Sequence, residues 1–410
     1  MIPRRRLDRG LDELGATALA VVARSSRDAD LAPFVGPIHL GDGFLVLPRE
    51  GEPRLAYLTA MEREEAALSG LELLTPESLE VRRLAADLPT EEAVIAALLE
   101  RALAASGVGP GRVALAGSGR SGVLLGIAKS LEARGFTLLP GNRLALELRK
   151  PKGAREVEAA RRAAAGASAA LRRVAELLAA ASVRDGELWL EGERLRIGRL
   201  KLEIARALAA FELEQPEGNI VAPGEEGAVP HSSGSLERVL RPGESLVVDL
   251  FPQGWIYADV TRTFCVGSPP PALAKAHGEV LQVLERVSSR LTPDWLAGRP
   301  RAFSLQETAC SLFGRQGYET PISHPGTTTG YVHGLGHGVG FDLHEYPSFR
   351  REAGEEGVLE VGDLITLEPG LYHPEAGWAV RLEDLLFLGE AGVENLTPLP
   401  YDLDPRAWQT

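Results

Sequence analysis

Up to residue 150, short apolar runs alternate with stretches of helical period, which predicts an α/β domain. ATALAVVA (16–23), GFLVLP (43–48) and RVALAG (112–117) read as strands. EEAVIAALLERALAASG (91–107) and VLLGIAKSLEARG (123–135) read as helices closed by Gly107 and Gly135. Pro151 and Gly153 break the pattern in RKPKG, so a boundary is expected there, between a domain over 1–150 and another over 153–410. An Ala-rich helix is expected over about 154–181 and a second over about 198–212. After Val221, Gly and Pro punctuate the chain, and two strands, ESLVVDLF (244–251) and IYADVTRTFCV (256–266), flank the turn PQGW. Two further helices follow. One is LAKAHGEVLQVLERVSSRL (273–291); the other starts at Ser304, with Glu307 three residues on as a capping box, and runs to Arg315. YVHGLGHGVGFDLHE (331–345), DLITLEPGLY (363–372) and WAVRLEDLLFL (378–388) make the last stretch strand-rich. The order helix, helix, strand pair thus occurs twice and suggests two similar halves.

Composition narrows the class. Apolar residues make up 44% and charged residues 25% of the 410, as in an ordinary soluble globular protein. No apolar run approaches the roughly 20 residues of a membrane helix. Asp8, Asp12 and Glu13 separate the basic tip from residues 16–23, so we read that run as a strand and not as a leader. A net charge of −13 argues against binding nucleic acid or an anionic membrane. Cys265 and Cys310 are too few for a disulfide framework, which fits a cytoplasmic location.

The chemistry is carried by acids in apolar strands. Asp249 and Asp259 are equidistant from Gly254 in the expected turn, so they should face each other across a hairpin, where like charges cost stability without a cation between them. Glu368 and Glu383 flank HPEAGW in the same manner. One such pair is weak evidence; two pairs in two similar halves argue against surface acids. His333, His337 and His344 lie within twelve residues, interleaved with glycines, and offer imidazole ligands. Four carboxylates and one imidazole suit Mn²⁺ or a similar first-row ion, and bridging carboxylates can hold two metals about 3.5–4 Å apart.

A competing signal is Gly117-Ser-Gly119-Arg-Ser-Gly122, a G-x-G-x-x-G between an expected strand and helix, the setting of an NAD-binding fingerprint. The acid expected after the next strand is missing from TLLPGN (137–142). A tight strand-to-helix turn is therefore the preferred reading over an NAD-dependent oxidoreductase.

VVDLFPQGWIYADVTRTF, HGLGHGVGFDLHEYP, ITLEPGLY and VRLEDL, in this order, resemble the pita-bread metallopeptidases of the M24 group: prolidase, aminopeptidase P and methionine aminopeptidase. The resemblance is close over 153–410 and looser over 1–150. It implies an α+β fold, with two ααββ halves around a curved antiparallel sheet behind an N-terminal α/β domain of creatinase/prolidase type. It also implies that Asp249 chelates one metal, Asp259 and Glu383 bridge two, and His337 and Glu368 bind the other. Glu368 would be general base, and His333 and His344 would contact substrate and stabilise the tetrahedral intermediate. His231 would lie near the substrate's proline, and Arg381 would orient the site. The implied reaction is hydrolysis of the bond between an N-terminal residue and proline in short peptides by a metal-bridging hydroxide, with Mn²⁺ expected and Co²⁺, Zn²⁺ or Fe²⁺ as alternatives, in a homodimer. Relatives without metal, including creatinase, lack the ligand set seen here. Methionine aminopeptidase resembles only the second domain. One departure is that the Asp249–Asp259 interval is a residue shorter than usual for the family, which leaves the turn's shape open.

Overall fold

The apolar run at 18–23 forms β1 (Ala18–Ala23) and is buried along its whole length in the computed structural model, which describes residues 3–408. Its unbroken hydrophobicity has a physical cause. Leu19 and Val21 enter one apolar cluster and Ala20 and Val22 another, so the strand is covered on both faces. With β2 (Gly43–Pro48), β3 (Arg54–Tyr57), β4 (Glu72–Leu74), β5 (Arg112–Ala116) and β6 (Thr137–Pro140) it makes a six-stranded mixed sheet in the order β4-β3-β2-β1-β5-β6. The helices Glu91–Ala105 and Ser121–Glu132 supply Leu99, Ile127 and Leu131 to the core on one of its faces. The chain divides between Arg149 and Lys150, and this sheet lies within the first unit.

The G-x-G-x-x-G stretch is the turn from β5 into the helix Ser121–Glu132. Its amides are engaged internally: Gly117 N–H donates to Asp30 Oδ2 at 3.0 Å and Ser118 N–H to Asp28 Oδ2 at 2.7 Å. Those carboxylates stand where a dinucleotide phosphate would need the same donors. The stretch is therefore a closed structural turn.

In the second unit, the helix Ala154–Ala180 buries Ala160, Ala163, Ala164, Ala167 and Ala170, a low stripe that lets the helix Ile197–Ala209 pack closely. β7 (Ser182–Arg184), β8 (Glu187–Leu190) and β9 (Glu193–Arg194) form a small antiparallel sheet. β10 (Ile220–Pro223), β11 (Leu246–Leu250) and β12 (Val260–Phe264) form a three-stranded sheet with β11 central. The helices Pro271–Ser288 and Phe303–Arg315 open the second half. Its strands are β13 (Leu364–Leu367), β14 (Gly370–His373), β15 (Trp378–Arg381), β16 (Asp384–Gly389) and β17 (Gly392–Asn395). β14 pairs with β15, and β16 lies between β13 and β17. The repeated helix–helix–strand–strand order of an α+β fold is present.

Three local expectations change. The capping box at Ser304 does not form: the helix starts at Phe303, and the Ser304 hydroxyl donates backwards to Arg301 O at 2.8 Å. Residues 331–345 are not a strand. They form a loop held by isolated bridges from Gly338 to Glu345 and Ile365, and its glycines allow close backbone approach: a Cβ at 338 would lie 2.1 Å from Tyr346 O. The third change concerns register. Asp249 pairs with Thr261, and the Gln253–Tyr257 bridge continues the same register, so the turn is centred on Trp255 and not on Gly254. Asp259 thus sits two residues before Asp249's partner, diagonal to Asp249 and on the same face.

β12 is also the seam between the halves. Thr261 O accepts Glu383 N–H at 3.0 Å, and the fully buried Arg262 donates to Glu383 O at 2.6 Å, Asp384 Oδ1 at 2.7 Å and Pro400 O at 2.9 Å while stacking on Tyr401. Replacing Arg262 by Met leaves the Asp384 carboxylate buried without its cation, which costs about 3–5 kcal/mol. Calorimetry of Arg262→Met is expected to show a lower-melting transition for the second unit. An unchanged transition would show that the seam does not depend on this pair.

Candidate metal centre

Glu368 follows β13 directly and Glu383 precedes β16 directly. Leu367 lies opposite Asp384, and Gly370 lies opposite Arg381 in the same register, so Glu368 and Glu383 fall opposite each other in the gap between two ladders. Their backbones bond elsewhere: Glu368 N–H donates to Leu335 O, and Glu383 N–H to Thr261 O. The gap therefore aims both side chains at the loop 331–345 and at β12, where the other acids and imidazoles lie.

The site's groups converge there. Ligand atoms of Asp259, His337 and Glu383 lie within 4.8 Å of one another. His337 Nε2 is 3.5 Å from Asp259 Oδ2 and 3.8 Å from Glu368 Oε1. His337 Nδ1 is 3.0 Å from Gly338 O; a carbonyl only accepts, so Nδ1 carries the proton and Nε2 turns its lone pair to the carboxylates. The His337 and His344 rings are 4.2 Å apart. His333 Nδ1 donates to Gly334 O at 2.7 Å, and its Nε2 accepts from the Tyr372 hydroxyl at 3.0 Å. Arg381 Nη2 donates to Asp249 Oδ2 at 2.5 Å, and Nη1 to Tyr372 at 2.7 Å and to Pro230 O at 3.3 Å, beside the exposed His231.

Thr261 and Tyr372 were not singled out from the sequence. Thr261 donates to Glu383 Oε2 at 2.7 Å and accepts Arg381 Nε at 3.2 Å. Tyr372 joins Arg381 to His333. A signal for Thr261 was present: Asp259, Thr261 and Thr263 are polar at alternate positions of one strand, although Arg262 interrupts the apolar positions of Val260 and Phe264 between them. Tyr372 carries no comparable mark, since an aromatic in a strand is ordinary.

Burial makes this cluster electrostatically costly. It raises the pKa of Asp259, with Glu383, Asp249 and Glu368 adding to the rise, and raises that of Glu383 likewise. Burial pushes Glu368 up to about 8, against the opposing pull of Arg381. His333 and His337 are lowered to about 3, by burial first and then by Arg381 and His344 respectively, so both are neutral. Burial and then His231 lower His344. Burial works against the Arg381 charge, but Tyr372 and the facing carboxylates outweigh it and raise its pKa.

Two buried oxygens, Asp249 Oδ1 and Asp259 Oδ1, have no hydrogen-bond partner. Buried polar atoms are seldom left so. Together with the neutral imidazole and the hard oxygen donors, they fit a divalent cation.

Residues 158–390, more than half of the chain, match the metallopeptidase family M24, and the chain belongs to that family. It is similar to the Xaa-Pro dipeptidase of Pyrococcus furiosus, at 32% identity over 217 residues, 52% of this chain and 56% of that one. It is also similar to a probable dipeptidase, PepE, of Mycobacterium tuberculosis, at 31% identity over 204 residues, 49% of each. The matched region thus spans about half the length of these relatives. Among solved structures, the prolidase from Pyrococcus horikoshii OT3 superposes with a TM-score of 0.73 at 20% identity, covering 98% of this chain and 99% of that one. The Xaa-Pro dipeptidase from Bacillus anthracis gives 0.74 at 20% identity, covering 98% of both. Those likenesses establish the shared fold: an N-terminal domain followed by a pita-bread domain.

The raised carboxylates predict how stability depends on pH. A group whose folded pKa exceeds its unfolded value binds more protons in the folded state, so its contribution is present at low pH and lost as pH rises through the folded value. For Glu368 that window runs from about 4.3 unfolded to about 8 folded. Thermal melts of chelator-treated protein are expected to lose stability between pH 5 and 8. The gain in Tm on adding Mn²⁺ should grow over the same range, since the cation competes with protons for the carboxylates. A Mn²⁺ increment independent of pH would contradict this account.

Proposed function

We propose that this chain hydrolyses the peptide bond between an N-terminal residue and proline, using two divalent cations, with Mn²⁺ the first expected. The observation that carries the reading is the cluster of Asp259, His337 and Glu383, with Glu368 3.8 Å from His337, Asp249 bonded to Arg381 beside it, and two carboxylate oxygens left without partners. Membership of family M24 supports peptide hydrolysis, and the relative named Xaa-Pro dipeptidase supports proline as the residue after the cut.

Asp249, Asp259 and Glu383 would hold one cation and Asp259, Glu383, His337 and Glu368 the other, with Asp259 and Glu383 shared. When bound, the cations lower the pKa of water and polarise the scissile carbonyl. Glu368 faces His333 and His337, with Oε2 3.8 Å from His333 Nδ1. It takes a proton from the attacking water and delivers it to the departing proline nitrogen. His333, neutral and held by Tyr372 and Gly334, and His344 at the exposed edge bind the substrate carbonyl and its tetrahedral successor. Arg381 fixes Asp249 and Tyr372 at once and thereby orients the wall of the site on which His231 stands.

The test compares an Xaa-Pro dipeptide, an Xaa-Pro-Xaa peptide and a Met-Ala peptide, each with Mn²⁺ or Co²⁺ and with chelator. Cleavage of the proline substrates that chelator abolishes is expected, and Glu368→Gln should lower kcat by about 10²–10⁴-fold. Cleavage of the Met-Ala peptide alone would overturn the proline assignment. No cleavage with any of the cations would overturn the hydrolase reading.

A further inference from the structure

Lys152 and Glu345 form an ion pair that the site described above does not use, with both side chains 1% exposed and Lys152 Nζ 2.5 Å from Glu345 Oε1. Lys152 also donates to Lys150 O at 2.8 Å. The Glu345 carboxylate lies inside the loop that carries the histidines and accepts Phe341 N–H on Oε2 at 3.2 Å. Gly340 leaves room for it, since a Cβ there would fall 2.0 Å from Oε1. The neck of this loop is the bridge in which Glu345 N–H donates to Gly338 O at 2.9 Å. His337 and His344 each stand one residue before a partner in that bridge, and their rings face each other at 4.2 Å.

We propose that Lys152 and Glu345 are positioning residues. The carboxylate plugs the loop 338–345 from within, Lys152 neutralises it there, and the pair fixes the His337 imidazole relative to His344. A carboxylate filling this loop without a cation would be drawn towards water, and the neck that spaces the two rings would open. An apolar side chain of similar size would fill the space but offer no acceptor to Phe341 N–H. The part of the proposal that concerns metal affinity rests on the metal-site reading; the part that concerns ring placement does not.

The test uses the full chain, metal-free and at fixed pH, carrying ring-¹⁵N histidine, in two double variants: Lys152→Met with Glu345→Gln, and Lys152→Met with Glu345→Leu. Both remove the charges; only Gln keeps an oxygen acceptor. The His337 and His344 ring signals are expected to stay near their wild-type positions in the Gln variant and to shift or broaden in the Leu variant. His277, which contacts Tyr401 O at 2.7 Å on the helix Pro271–Ser288, should stay fixed in both. Mn²⁺ affinity should fall by about tenfold or more in the Leu variant and only a few-fold in the Gln variant. Unmoved His337 and His344 signals in both variants would overturn the proposal. So would a His277 shift as large as theirs, which would mark a merely structural pair. If the Leu double variant does not fold, Lys152→Met alone decides, moved His337 and His344 signals supporting the proposal and unmoved ones overturning it. If wild-type protein binds no Mn²⁺, the metal-site reading fails while the ring signals still decide this proposal.

Discussion

The architecture of the second unit turns on the repulsion among four carboxylates sharing one mostly buried volume. Asp249, Asp259, Glu368 and Glu383 face a single guanidinium, that of Arg381, among the described residues that contact them. Burial and mutual repulsion push Asp259, Glu368 and Glu383 towards their protonated forms. The neutral imidazoles of His333 and His337 supply no compensating charge. Such a cluster persists only where the surroundings over-determine it. Here the surroundings are the apolar cores behind the strands and the β12 seam, where Arg262 ties the backbone of Glu383 to the C-terminal segment.

The same constraint explains why three of the four acids sit at ladder ends, Asp249 alone being paired within β11. A carboxylate in mid-ladder is held by its neighbours' register and points where the pleat sends it. Glu368 and Glu383 lie in the gap between two paired segments, and Asp259 lies just before β12 begins, so each backbone can bend towards the site while the flanking ladders stay regular. The glycine-rich loop does the same for the histidines: its backbone comes close to its neighbours because side chains are absent there. Polar groups around these residues set protonation as well as position. Gly334 O and Gly338 O fix the tautomers of His333 and His337, and Thr261 and Tyr372 connect Arg381 to Glu383 and His333.

Much of this was legible in one dimension. The buried strand 18–23 announced itself by unbroken hydrophobicity, and the long helix by its alanines. The acids stood out because a carboxylate in VVDLF or LITLE has no solvent face to occupy. The apparent symmetry about Gly254, the capping box at Ser304 and the strand at 331–345 were each read from local pattern. At Ser304 a competing local bond to Arg301 O took the hydroxyl, while the other two were overruled by contacts with segments outside the local window. Phe341, for instance, packs edge-on against Trp255 with ring centroids 5.4 Å apart, and Trp255 is where the turn is centred. Tyr372 left no mark because its residue type is as common in cores as in sites.

Residue order by itself therefore determined the N-terminal α/β domain, the repeated helix–helix–strand–strand halves, and which acids and histidines were out of place as mere surface groups. Those properties follow from side-chain chemistry and from the periods of helix and strand, which any short window displays. Tertiary structure alone decided that Asp249 lies opposite Thr261 and diagonal to Asp259, that Arg381 holds Asp249, and that the carboxylates of two hairpins more than a hundred residues apart share one volume with His337. Distances of that kind depend on the register between ladders and on how two halves close over a common core, and no local period encodes either.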